Sequence, residues 1–226
     1  MFSIIIPLFN EAKNIDKLIK EINFNLNKYK NYEVILIDDA STDDTFITIN
    51  KLKSEKIKIL KNTKNKGQSY SIYKGISSSL NKIIITLDGD GQNDPKDIPK
   101  LLEHYLSQDS IKLIGGIRKK RKDTLIKITS SKIANYVRSQ LLKDNCKDTG
   151  CSLKVFNRKI FLEFPYFDGI HRFLPALFNG YGYKTKFISV NHRKRKFGVS
   201  KYGTLKRLYK GIIDMIRVIK ILKNKK

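Results

Sequence analysis

Cysteine is scarce in this chain: Cys146 and Cys151 are the only two among 226 residues. Two cysteines cannot build the disulfide framework of a small secreted domain, and a reducing compartment is expected. A zinc site would have to gather both with His171 and His192, and the cysteine spacing does not match a zinc knuckle. Long apolar runs are also missing. Nothing approaches the roughly 20 consecutive apolar residues of a membrane-spanning helix. The N-terminus enters Phe2-Ser3-Ile4-Ile5-Ile6 with no basic stretch before it, so no signal peptide is expected. No Gly-x-Gly-x-x-Gly follows the first apolar run, which continues as Phe9-Asn10-Glu11-Ala12, and no Walker lysine motif exists. A Rossmann NAD or FAD enzyme and a P-loop NTPase are thereby excluded.

Negative charge is in short supply too. Against 46 Lys and Arg stand 21 Asp and Glu, a formal net charge of +25. Such a field attracts nucleic acid, anionic lipid headgroups or phosphorylated substrates. Lysine far outnumbers arginine, and Ile and Asn are abundant, as in an AT-rich coding sequence, so the arginines carry more information than the lysines. A nucleic-acid-binding module would gather arginines and exposed aromatics on one face. Here the cations are spread along the whole chain, and no nucleic-acid partner is expected.

What is present is a rhythm. Residues 2–9 form an apolar run that suits a buried strand, and Ile15, Leu18, Ile19, Ile22 and Leu26 follow at helical spacing. Strands are expected at 33–37, 57–60 and 83–87, with helices to about residue 53 and over 67–80. Farther on, strands are expected at 111–117, 151–156 and 184–190, and a helix at 124–142. Alternating strands and helices predict an α/β fold with a mostly parallel sheet covered on both faces. The length suits one large domain with a short appendage. In such sheets ligands bind beyond the carboxyl ends of the strands. Asp38/Asp39 and Asp88/Asp90 both fall at strand ends, so the two acidic pairs should share one crevice.

The run Asp88-Gly89-Asp90-Gly91-Gln92-Asn93-Asp94-Pro95 is the strongest local signal. Two carboxylates one residue apart converge on a hard cation if the chain turns sharply, and glycine permits that turn. A cation held by few carboxylates keeps coordination sites for substrate phosphates. An EF-hand would need Gly and Glu where Asn93 and Pro99 stand. An aspartyl-nucleophile phosphatase would carry its aspartates after the first strand, and the plainest alternative is a turn of small polar residues.

Five stretches together resemble the family 2 glycosyltransferases, and within them the dolichyl- or polyprenyl-phosphate sugar synthases (dolichol-phosphate mannosyltransferase-like). They are Ile5 to Glu11, Ile37 to Thr45, Asp88 to Pro95, Asp148-Thr149-Gly150-Cys151-Ser152-Leu153-Lys154, and Phe197-Gly198-Val199-Ser200-Lys201-Tyr202. They occur in the family's order and cover residues 1 to about 203. The resemblance implies a GT-A fold, Rossmann-like with a predominantly parallel mixed sheet, over residues 1–203. It implies a nucleotide-diphosphate sugar, UDP- or GDP-linked, with Mg²⁺ or Mn²⁺, and inversion at the anomeric carbon. By motif position Pro7, Asn10, Glu11, Asp38 and Asp39 would line the nucleoside pocket, with Asp39 equally placed to be a helix cap. Asp88, Asp90 and Gln92 would hold metal and diphosphate, and Asp88, Asp90 and Asp148 form the catalytic set.

For the acceptor, the resemblance points to a polyprenyl phosphate held by Arg118, Lys127, Ser131, Arg193, Ser200 and Lys201. A phosphate monoester is largely dianionic at pH 7 and needs cations rather than a base. A hydroxyl acceptor, as in assembly of a saccharide or lipid-linked glycan for the cell envelope, would need a base, and Asp148 is the candidate. With a phosphate acceptor Asp148 would instead orient a basic partner. Arg172 is a candidate for the site's rim, and His171 reads as a structural histidine. Over 204–226, Leu205, Leu208, Tyr209, Ile212, Ile213, Ile216 and Ile219 line one face of a helix, with Lys206, Lys210, Arg217 and Lys220 largely on the other. That pattern suits a helix lying in a membrane interface or packing on the domain. Peripheral attachment to the cytoplasmic face of the membrane is the expected location.

Overall fold

The computed structural model describes residues 1–119, 136, 138–197 and 204–225, and for 204–209 only the backbone. Seven strands form one sheet: β1 (Phe2–Leu8), β2 (Tyr32–Asp38), β3 (Ile57–Lys61), β4 (Ile83–Thr86), β5 (Ile111–Arg118), β6 (Lys154–Asn157) and β7 (Lys184–Val190). Their order is β3-β2-β1-β4-β6-β5-β7. β6 alone runs against its neighbours, antiparallel to both β4 and β5, while the other pairs are parallel. The mixed, mainly parallel α/β architecture expected from the strand–helix rhythm is the one observed.

The side chains show why. In β1, Ile4, Ile6 and Leu8 enter one apolar cluster and Ile5 the other; in β2, Val34 and Leu36 oppose Ile35 and Ile37 in the same way. Alternation puts successive side chains on opposite faces, and a strand apolar on both must be covered twice. Helix α1 (Ala12–Asn25), α2 (Thr45–Lys51) and α4 (Ile98–Leu106) cover the first face. α3 (Gln68–Ser77), α5 (Arg158–Glu163), α6 (Ile170–Gly180) and α7 (Thr204–Lys223) cover the second. α1 buries Ile15, Leu18, Ile19 and Ile22, the positions its periodicity singles out.

Two expectations are refined. The strand expected over 151–156 starts only at Lys154, because Cys151 N–H donates back to Asp148 O within its own loop and only Leu153 O, accepting from Gly116 N–H, reaches β5. Of the helix expected over 124–142, residues 138–142 are helical, and most of the rest falls outside the described residues. α7 packs on α6. Val218 is fully buried, Met215, Ile219 and Leu222 pack on the second cluster, and Asp214 is buried with them. Ile212, Ile213 and Ile216 face outward, 46%, 40% and 51% exposed. The single apolar stripe expected of this helix is therefore split, its last member inward and its middle members outward. No helix among the described residues is long and apolar enough to cross a membrane.

Candidate active site

The carboxyl ends of the parallel strands bring together chemistry from across the chain. β1 ends at Leu8 before Asn10 and Glu11, β2 ends in Asp38, and β4 leads into Asp88. β5 ends in Arg118, β6 begins just after Asp148, and β7 leads into Arg193 and Arg195. The two acidic pairs, far apart in sequence, thus lie at one sheet edge, as expected, on strands that both pair with β1.

The first two loops are stapled together. Asn10 adopts φ 56°, and its side chain accepts from Thr42 N–H at 2.8 Å and donates to Thr42 Oγ1 at 3.1 Å. Thr45 Oγ1 accepts from Glu11 N–H at 2.8 Å. Asn10 thus shapes the pocket wall with its amide already engaged. Pro7 pairs in register with Ile37 at the end of β1. Asp38 is fully buried; its Oδ1 accepts from Ser41 N–H at 3.2 Å, and its Oδ2 has no partner. A desolvated acceptor without a donor is costly, which makes Asp38 the acid at this end with unspent capacity. Asp39 differs. Its carboxylate accepts from Asn62 Nδ2 (2.7 Å), Lys66 N–H (2.9 Å) and Gly67 N–H (2.8 Å). These bonds fasten the loop that starts α3, a structural role close to the capping alternative held for it.

Gly89 fixes the turn after β4. A Cβ there would stand 2.3 Å from Leu8 Cδ2 and 3.4 Å from Pro7 O, so any other residue must push the buried Leu8 side chain aside. Asp88 Oδ1 accepts from Gln68 Nε2 at 2.8 Å, and Asp90 Oδ1 accepts from Gln92 N–H at 3.0 Å. Burial and the charge of Asp90 push Asp88 up to about 6, against the pull of Lys154 and Arg118. Two close carboxylates in this state favour a cation. Gln92 donates from Nε2 to Arg193 O at 3.4 Å. Among the described residues no group of three or more His, Cys, Asp and Glu could enclose a metal. The donors fit a hard divalent ion gripped by two carboxylates, with the remaining positions open to phosphate oxygens.

The cations divide into anchors and reachers. Arg118 donates to Asp148 from its main chain (3.1 Å), Nε (2.8 Å) and Nη2 (2.7 Å). Asp148 therefore orients a basic partner in this structure. Arg193, expected at the acceptor phosphate, is clamped between Glu21 (2.6 Å) and Asp94 (2.6 Å), tying the segment after β7 to α1 and to the loop before α4. Two carboxylates hold its guanidinium, as Asp148 holds that of Arg118. Arg195, which the sequence did not single out, is the one that reaches the acidic turn: Nη2 donates to Glu11 Oε1 at 2.6 Å, and Nη1 lies 3.6 Å from Asp90 Oδ2. Lys127, Ser131, Ser200 and Lys201 lie outside the described residues.

α3 and α6 supply further partners that sequence spacing could not reveal. Next to Gln68, the buried Ser69 accepts from Gly169 N–H at 2.7 Å and faces His171 Nδ1 at 2.7 Å. Burial, with the charges of Arg172, Lys154 and Lys210, holds His171 well below the usual histidine range. Arg172 is half-buried at the start of α6.

The glycosyl transferase family 2 model matches residues 3–164. The chain belongs to that family. This glycosyltransferase is 33% identical over 230 residues to the dodecaprenyl-phosphate galacturonate synthase of Rhizobium johnstonii, covering 99% of the chain and 68% of that protein. It is 32% identical over 209 residues to the undecaprenyl-phosphate 4-deoxy-4-formamido-L-arabinose transferase of Yersinia enterocolitica, covering 90% of the chain and 63% of that protein. The chain thus spans about two thirds of the length of these relatives. Among solved structures it is similar to glucosyl-3-phosphoglycerate synthase of Mycobacterium tuberculosis, crystallised with Mn²⁺ and UDP (TM-score 0.73, 15% identity, 98% of this chain and 79% of that one). It also resembles mannosyl-3-phosphoglycerate synthase of Rubrobacter xylanophilus (TM-score 0.75, 12% identity, 100% and 76%). These likenesses establish the GT-A type of fold for the glycosyltransferase.

Proposed function

We propose that this family 2 glycosyltransferase moves a sugar from a nucleotide-diphosphate sugar, UDP-linked in the first instance, to a polyprenyl phosphate at a membrane surface. One observation carries the choice of acceptor: the acid best placed to be a base, Asp148, is committed to Arg118 through three hydrogen bonds. A site that spends its acid on orienting a guanidinium suits an acceptor that arrives already anionic. The names of the relatives, which are polyprenyl-phosphate sugar synthases and transferases, agree.

The nucleoside lies at the β1–β2 end, against the loops that carry Asn10, Glu11 and Asp38. The diphosphate meets Asp88, Asp90 and Gln92. A bound Mg²⁺ or Mn²⁺ would neutralise the charge that builds on the leaving diphosphate. Arg195, resting on Glu11 and Asp90, is within reach of the same group. Arg118, with Lys127, Ser131, Arg193, Ser200 and Lys201, holds the acceptor phosphate. An oxygen of that phosphate bonds to the anomeric carbon on one face as the bond to the nucleoside diphosphate breaks on the other, and the configuration inverts. No proton need be removed. The outward Ile212, Ile213 and Ile216 of α7, beside Arg217 and Lys220, suit contact with an anionic cytoplasmic leaflet, where each nearby cation contributes about 1 kcal/mol.

The test is incubation with Mn²⁺, undecaprenyl phosphate and radiolabelled UDP-galacturonate, UDP-glucose or GDP-mannose. Label is expected in the organic phase with the parent protein and not with Asp90→Ala. Label entering a soluble glycan, with none in lipid, would replace the acceptor with a saccharide and restore Asp148 as a base.

A further inference from the structure

His171 has one ring nitrogen accounted for and one not. Ser69 Oγ takes the Gly169 N–H at 2.7 Å, and His171 Nδ1, also at 2.7 Å, is the one acceptor shown for its own hydroxyl among the described residues, so this fully buried hydroxyl keeps its proton bonded by directing it there. A hydroxyl has one proton to give, and a ring nitrogen that accepts it leaves the other nitrogen protonated. His171 is therefore the Nε2–H tautomer, its ring locked at one edge by a fully buried serine. The same burial and surrounding positive charge that lower its pKa keep the ring neutral. The structure shows no hydrogen-bond partner for Nε2 among the described residues, and the residue, though largely buried, keeps part of its surface open.

The sheet order says what lies near it. Along the carboxyl edge the sequence of strands is β2, β1, β4, β6, β5. Asp38 marks the nucleoside end and Asp88 the diphosphate, so the next part of a nucleotide sugar, its sugar ring, falls beyond β4 toward β6. His171 belongs to that side. It feels the charge of Lys154 on β6, and the α3 turn that holds it through Ser69 holds Asp88 through the adjacent Gln68. We propose that His171 is a specificity-determining residue that donates a hydrogen bond from Nε2 to an oxygen of the donor's sugar ring. This rests on the reading that the chain uses a nucleotide sugar, and it assigns a residue to the part of that substrate which metal and nucleoside contacts do not touch.

Two substitutions separate the two ring nitrogens. His171→Asn keeps an acceptor at the Nδ1 position for Ser69 but has nothing at Nε2; His171→Gln carries a donor out to the Nε2 position. With Mn²⁺ present, calorimetry compares each variant's affinity for UDP and for UDP-glucose, and transfer assays use whichever donor of the panel above the parent turns over. His171→Asn is expected to lose roughly 2- to 12-fold in affinity and kcat/KM for the nucleotide sugar, the worth of one hydrogen bond. UDP affinity should not move, and His171→Gln should recover part of the loss. In ¹⁵N-histidine spectra, the Nε2–H resonance of His171 should shift with UDP-glucose and not with UDP. Equal losses for UDP and UDP-glucose would make His171 merely structural, and unchanged affinity for both in His171→Asn would remove it from the site; either outcome overturns the assignment. If the parent transfers no sugar at all, the proposed function fails, while the binding and spectral comparisons still decide the role of His171.

Discussion

Replacing Asp148 with asparagine separates an anchor from a base. Asp148 is buried and Arg118 nearly so, with side chains 6% and 13% exposed, and the carboxylate accepts from Nε and Nη2 with both of its oxygens. Asparagine keeps one oxygen and turns an N–H₂ toward a guanidinium that can only donate. One charge-assisted hydrogen bond is lost, about 1.5–3 kcal/mol. At 1.4 kcal/mol per tenfold, this is about 10- to 150-fold. The loss is expected in the acceptor KM, because Arg118 keeps its charge and loses its orientation, while kcat at saturating acceptor and the Kd for UDP stay near the parent values. A general base behaves differently: its removal lowers kcat itself by about 10²–10⁴ and abolishes the acidic limb of the pH–rate profile. Steady-state kinetics with a water-soluble short-chain polyprenyl phosphate distinguish the two. Arg118→Lys should give the same kind of defect, since a point charge cannot be held in the same two-pronged way. The double variant should then fall short of the sum of the single losses, because the residues act as one unit. A collapse of kcat at unchanged acceptor KM would refute the anchoring role, and with it the main reason for preferring a phosphate acceptor.

Two further outcomes follow from packing and burial. Gly89→Ala places a Cβ 2.3 Å from the buried Leu8 Cδ2, and overpacking of this kind costs about 1–3 kcal/mol, so the variant should melt lower and lose Mn²⁺-dependent UDP binding as the turn moves; parental values in both calorimetry and melting would show that the turn adapts. Asp214, buried on α7, has a carboxyl pushed above its ordinary 3.8, with burial outweighing the pull of Lys210, Arg217 and Arg172. The folded state therefore holds this proton more tightly than the unfolded state, and stability falls as pH rises from the ordinary aspartate range through the raised folded value. The penalty is present in full at neutral pH, so Asp214→Asn should melt higher than the parent there, and the gap should close as the solution is acidified toward the ordinary aspartate range. A gap independent of pH would show that the carboxylate's ionisation is not what the helix resists.

What could be seen in the sequence was whatever is local to it. Apolar runs of strand length ending in polar turns placed Asp38 and Asp88 at one sheet edge, although they come from different strand–helix units. The glycines beside Asp90 announced a sharp turn, and the contact of Gly89 with Leu8 shows why it must be sharp. What could not be seen was whatever depends on which surfaces dock. Arg193 and Arg195 stand two apart, and in a strand both would share a face, but β7 ends at Val190 and alternation no longer applies. One arginine is taken by Glu21 of α1 and the other reaches Glu11 and Asp90. Nothing in the order Arg-Lys-Arg distinguishes them. The C-terminal helix shows the same limit for apolar residues. Periodicity found a stripe, yet Ile219 packs inward while Ile212, Ile213 and Ile216 face out, and the charged Asp214 is buried beside Gly169. An apolar stripe reports that a face avoids water, not whether protein or lipid covers it, and this helix turns one face to the domain while leaving another open. Asp148 shows the point in its strongest form. The same carboxylate in the same motif is a base if it faces a hydroxyl and an anchor if it faces a guanidinium, and the partner that decides, Arg118, lies 30 residues away at the end of β5.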